Sequence, residues 1–128
     1  MKKYIALTLM IGSLVSCKKE PGFGGRASIQ GKVFVYDTNK EQTDTLAEGY
    51  LGNINVFISV DGQEGVLEQV DTDLNGSYKI EELRKGTYQL WVYSDCLTCP
   101  DDREAIKYTV TISGNKDEMK LPDFIIRL

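Results

Sequence analysis

From Ala27 onward, apolar side chains recur at every second position, and this period of two restricts the fold more than any other feature of the chain. Ile29, Gly31, Val33 and Val35 alternate with Gln30, Lys32, Phe34 and Tyr36. Ile54, Val56, Ile58 and Val60 follow the same rule, as do Tyr78 and Ile80, then Tyr88, Leu90 and Val92, then Tyr108, Val110 and Ile112, and finally Phe124, Ile126 and Leu128. Successive side chains of a strand point to opposite faces, so each of these sets marks the face turned to a core. A weaker strand is expected over Val66–Val70. Asp61-Gly62, Asn75-Gly76, Lys85-Gly86 and Ser113-Gly114-Asn115 supply turn chemistry between the runs. Seven short strands at this spacing predict an all-β, seven-stranded Greek-key β-sandwich. Only Pro100–Ala105 suggests a helical turn, opened by Pro100. Asp37–Leu51 reads as a long polar loop, either an elaborated surface connection or a functional one.

The start of the chain obeys different rules. Lys2 and Lys3 precede an apolar run from Tyr4 to Val15, and Leu14-Val15-Ser16-Cys17 follows. Twelve apolar-run residues are too few to cross a bilayer, which takes about 20. A charged segment, a short apolar segment and a small residue in that order describe an export signal. The full pattern resembles the signal sequence of a bacterial lipoprotein, with Leu14-Val15-Ser16 as lipobox. That resemblance implies cleavage after residue 16, acylation of Cys17 and a place in the cell envelope, anchored to the outer membrane by lipid. An ordinary secretory signal with an incidental Cys17 is the alternative. The expected layout is a signal peptide over 1–16, a lipid-anchored flexible tether over 17–25 and a sandwich over 26–128. Lys18-Lys19-Glu20 looks like part of the surface-export signal of Bacteroidetes-type lipoproteins, although it carries one acid where two are usual. The motif leaves open whether the domain faces the periplasm or the outside.

Loss of Lys2 and Lys3 takes the 15 basic side chains to 13 against 19 acids, a net charge of −6. Those charges are interspersed, which argues against nucleic acid as partner, since phosphates need a concentrated cationic surface. The chain has no histidine. This removes the commonest general base and the commonest zinc ligand, so neither an enzyme nor a cofactor is expected.

A second resemblance rests on Ile29-x-Gly31-x-Val33, on Thr72-Asp73-Leu74-Asn75-Gly76-Ser77-Tyr78, and on Leu83 followed by Gly86-Thr87-Tyr88. These residues are similar to those of carboxypeptidase regulatory-like domains, over about Ser28 to Leu128. The resemblance implies a transthyretin (prealbumin)-like β-sandwich, non-catalytic, used for spacing, stability or interaction. The implied partners are the membrane, through the lipid anchor, and an envelope protein or glycan.

Three constellations could carry function. Asp71, Asp73, Asn75 and Glu82, with Gly76, fit a calcium-loop pattern of alternating oxygen ligands. Such loops lie between helices, whereas this one precedes a strand, and in the resembling family the same Asp and Gly make a β-turn. Cys96 and Cys99 form a Cys-x-x-Cys pair. In an oxidising compartment a disulfide is the leading reading, and a thiol–disulfide enzyme the alternative. Asp95, Asp101 and Asp102 surround the pair and would disfavour a reactive thiolate. Finally, Phe34, Tyr36, Phe57, Trp91 and Tyr93 fall on the outward parity of their strands. They would form a binding face if those strands were neighbours, and would otherwise pack under loops or another layer.

Overall fold

A computed structural model describes residues 20–128. Residues 1–19, on which the expected signal peptide and Cys17 fall, lie outside the described residues. Strands run Phe23–Thr38 (β1), Thr45–Tyr50 (β2), Asn55–Val60 (β3), Glu68–Asp71 (β4), Ser77–Leu83 (β5), Gly86–Asp95 (β6), Arg103–Ile112 (β7), Glu118–Lys120 (β8) and Phe124–Arg127 (β9). The only helical element among them is a 3₁₀ turn at Pro100–Asp102, because Arg103–Ala105 already belongs to β7.

The strands form two sheets, as the alternation predicts, and the chain passes back and forth between them. In the first sheet β1 is the spine. Its N-terminal half lies between antiparallel β5 and parallel β8, and its C-terminal half between antiparallel β2 and parallel β9. The second sheet has the order β4-β3-β6-β7, all antiparallel. Two strands exceed the expected seven. β2 arises from the second half of the segment read as a loop, and β8 is three residues long. Phe23–Gly25, read as tether, already belongs to β1.

The core is the inward parity of both sheets. Ile29, Val33 and Val35 of β1 and Phe124 and Ile126 of β9 meet Val56, Ile58, Leu90, Val92, Val110 and Ile112 from the second sheet, all buried. Among the described residues, every buried hydrophobic core residue lies between Ala27 and Ile126. β5 breaks the alternation once. Glu82 adopts φ 61°, and the resulting bulge turns both Ile80 and Leu83 inward against Ile29 and Ala27.

Two buried tyrosines behave oppositely. Tyr88 is wholly buried; its hydroxyl accepts the Gly22 N–H at 2.8 Å and donates to the Arg84 carbonyl at 2.7 Å. Arg84 N–H in turn donates to the Gly22 carbonyl, so the chain entering β1 is latched onto the β5–β6 hairpin. Tyr78, 3% exposed, has a hydroxyl with no hydrogen-bond partner. Its ring lies near Phe124, and its hydroxyl occupies the space a Cβ at Gly31 would need, at 2.5 Å. This is why position 31 is glycine on an otherwise bulky face.

Burial, and secondarily the Tyr108 hydroxyl and the Asp123 carboxylate, push the Tyr78 phenol well above its ordinary range. Below about pH 10 both folded and unfolded chains keep this proton, so it has no effect on stability. Above that, the unfolded chain loses the proton while the folded one holds it, and stability falls as pH rises. Tyr78→Phe is therefore expected to match or exceed the parent's melting temperature at neutral pH, because it deletes an unsatisfied buried hydroxyl. It should also fall less steeply than the parent above about pH 10. Thermal melts from neutral to alkaline pH check both, and a large loss at neutral pH would contradict them.

Candidate functional site

The outer face of the second sheet brings three of the outward aromatics together. Register sets Gln69, Phe57, Trp91 and Lys107 in one row across β4, β3, β6 and β7. The Phe57 and Trp91 rings stack with centroids 5.6 Å apart and planes 19° apart. Tyr93, two residues along β6 and 36% exposed, meets Phe57 edge-on at 5.6 Å. Arg103 of β7 sits 4.3 Å over the Tyr93 ring. Each ring is thus fixed by a neighbouring strand, with pair energies of about 0.5–1.5 kcal/mol holding the array. On the flank, Gln89 donates to Asp61 at 2.9 Å. The result is a mutually packed aromatic cluster bordered by the amides of Gln69 and Gln89, the cations Lys107 and Arg103, and the Asp61 carboxylate.

Phe34 and Tyr36 do not join it. They lie on β1, on the outer face of the first sheet, where Phe34 packs edge-on against Tyr36 and Tyr50, each at 5.2 Å. The condition for a single face of five aromatics is not met, because they are divided between the two opposite surfaces of the sandwich. Sequence alone does not single out Tyr50, which lies near the end of the polar Asp37–Leu51 segment. Lys32 lies 4.9 Å over its ring, and its hydroxyl donates to Asp123 at 2.7 Å. That hydrogen bond to a carboxylate, then desolvation and the Asp123 charge, raise the Tyr50 phenol above its ordinary range. Exposed Ile125, opposite Phe34 on β9, extends this second cluster.

The Asp-rich turn is spent on architecture. Asp73 Oδ1 accepts the N–H groups of Asn75 and Ser77 at 2.8 and 3.0 Å, and the Gly76 N–H closes the turn onto the Asp73 carbonyl. Gly76 has φ +72°, and a Cβ there would meet Tyr50 Cβ at 2.7 Å. Thr72 is buried; its hydroxyl donates to the Leu51 carbonyl and accepts from the Ile54 N–H. Asp71, Asp73 and Glu82 are not gathered as a set of three within 4.8 Å, and Glu82 lies at the far end of β5 from the turn. Asp73 and Gly76 of the calcium-loop pattern are thus engaged in forming the turn. The most specific part of the sequence resemblance is a folding signal.

Cys96 and Cys99 form a disulfide in the β6–β7 connection. The Cys96 N–H donates to the Asp102 carbonyl and the Asp102 N–H to the Cys99 carbonyl, which folds the tip back on itself. Leu97 is exposed beside the bridge, and acidic Asp101 and Asp102 follow it. The pair precedes a 3₁₀ turn of three residues, not a helix that could lower a thiol pKa.

No protein-family model and no curated protein sequence matches the chain. Among solved structures, similarity extends to a Pseudomonas aeruginosa protein named a putative carbohydrate binding protein. It has 16% identity and a TM-score of 0.46, over 81% of this chain and 89% of that one. A second is 5-hydroxyisourate hydrolase of Klebsiella pneumoniae, with 13% identity and a TM-score of 0.42 over 83% and 89% of the two chains. Likeness at this level assigns no function; the two-sheet architecture rests on the strand pairing itself.

Proposed function

We propose that this chain is a non-enzymatic binding module of the cell envelope, tethered to the outer membrane through acylated Cys17, whose Phe57–Trp91–Tyr93 face takes a glycan. The observation that carries this is the stacked pair of Phe57 and Trp91 between Gln69 and Lys107. A pyranose ring has an apolar C–H face and a rim of hydroxyls. Exposed aromatic ring area suits the first, and bordering amides and charged groups suit the second. The ordered run of lysines, apolar segment and Leu14-Val15-Ser16-Cys17 supports the anchor. The absence of histidine and the oxidised, acid-flanked cysteines support a role without catalysis.

Trp91→Ala is expected to weaken binding of envelope oligosaccharides by about tenfold or more, because loss of one aromatic anchor typically costs upward of ~1.4 kcal/mol. Ile125→Ala, on the opposite surface, should leave binding unchanged. Titration calorimetry with peptidoglycan fragments and lipopolysaccharide core oligosaccharides checks this. Equal binding by the parent and Trp91→Ala would overturn the assignment of the face.

A further inference from the structure

At the end of the sandwich where the chain enters β1 lies a cleft of about 670 Å³, lined by Arg26, Arg84, Lys85 and Lys116, with no acidic residue in its wall. In a chain of net charge −4 this is an unusual concentration of one sign. The single salt bridge among the described residues joins Lys79 to Glu81, so none of these four cations is ion-paired there. The preceding sequence, Met1–Lys19, contains no acid that could pair with them. Arg84 Nε is buried without a hydrogen-bond acceptor. Its guanidinium packs on the backbone of Gly24, where a Cβ would come within 2.6 Å of it. The Arg84 guanidinium in the cleft wall thus packs on backbone and carries one buried donor without an acceptor.

Anions with several oxygens satisfy such groups best, since a guanidinium presents parallel donors to phosphate and lysines add point charges. The cleft's place in the chain selects among phosphate sources. Gly22, which the Tyr88 latch fixes beside Arg84, is only five residues beyond Cys17. Fully extended, those residues span roughly 17 Å. We infer that the cleft receives the phosphate of an anionic lipid headgroup and sets the domain's orientation on the bilayer. This deepens the anchored reading above and rests on it for which end meets the membrane. The overall negative charge does not forbid the contact. At about 0.1 M salt, charges beyond ~10 Å are screened, so the four cations act chiefly against the acids that adjoin the wall in sequence, Glu82 and Asp117, and Asp117 already accepts the Gly114 N–H.

The test uses residues 18–128, which hold every core residue among the described ones and lack Cys17, so they carry no acyl chain. Sedimentation at about 0.1 M salt compares vesicles of phosphatidylglycerol mixed with phosphatidylcholine against phosphatidylcholine alone. Preferential binding to the anionic vesicles is expected. Lys85→Gln combined with Lys116→Gln, both exposed positions, should lower the partition by about 30-fold, a factor of roughly five for each charge. Arg84→Gln should lower it as well, with its melting temperature recorded beside it. The charge-matched pair Lys40→Gln and Arg127→Gln, at the far end of β1, should leave it unchanged.

Failure to prefer anionic vesicles, or parent-like binding by the Lys85/Lys116 variant, would overturn the inference. A chain that binds inorganic pyrophosphate but no vesicle would also overturn it, marking the cleft as a site for a soluble phosphate. Intact mass of protein isolated from membranes reports acylation of Cys17 separately. An unmodified Cys17 with vesicle binding intact would remove the anchor and leave the cleft standing.

Discussion

Gly25→Ala is expected to lower the melting temperature by about 15 °C or more. A Cβ at residue 25 would lie 2.1 Å from the Leu83 carbonyl oxygen and 2.5 Å from its carbon. Both atoms belong to backbone, in the bulge where β1 and β5 change register between Phe23 and Ala27. No side-chain rotation relieves such a contact, so one strand must move away from the other. Strain of this kind costs about 3 kcal/mol or more, a large share of the 5–15 kcal/mol typical of a domain's total stability. In a domain of this size each kcal/mol corresponds to roughly 4–8 °C. A variant melting within a few degrees of the parent would mean that β1 and β5 are not in contact at this bulge.

Tyr88→Phe should cost about 2–4 kcal/mol, through the loss of one hydroxyl that serves two buried partners. The Gly22 N–H and the Arg84 carbonyl would both lose a hydrogen bond that water does not readily replace. The damage should also be local in a recognisable way. Hydrogen exchange should accelerate at Gly22 and Arg84 more than at the inner residues of β3 and β6, because the latch holds the entry of β1 and not the centre of the core. Tyr78→Phe, the same chemical change at a hydroxyl with no partner, should not destabilise. Melting both variants side by side separates hydrogen bonding from ring packing. Equal stability of the two would contradict the hydrogen-bond assignments.

Most of the core was legible in the sequence because a strand buried on one face must alternate. Ile29, Val33 and Val35 point inward, as do Val56, Ile58, Leu90, Val92, Val110, Phe124 and Ile126. β2 was not legible. Residues Thr45–Tyr50 are exposed along nearly their whole length, so nothing in their pattern separates an edge strand from a loop. The opening of β1 was hidden for a different reason. Its glycines look like linker composition, yet Gly24 and Gly25 are needed because Arg84 and Leu83 crowd them.

The candidate site was half legible. Parity showed which aromatics face outward, but which strands neighbour one another is a tertiary fact. β3 and β6 pair and bring Phe57 onto Trp91, whereas β1 lies in the other sheet and carries Phe34 and Tyr36 away. Gln69 and Lys107 carry no signal of their own; only the register places them beside Trp91. The calcium pattern does not discriminate by itself, because turn-forming and calcium-binding loops draw on the same residues, Asp, Asn and Gly.

The chain contains one tryptophan, and it lies in the centre of the proposed glycan face. Its emission therefore reports on that face alone. Titration of the folded domain with peptidoglycan fragments and lipopolysaccharide core oligosaccharides should give a saturable change in Trp91 emission with at least one of them. That change should be abolished in Phe57→Ala, whose ring stacks on the reporter, and unaffected in Ile125→Ala. Emission that stays constant across the whole set, from a domain that still melts cooperatively, would contradict the proposal that this face binds glycans.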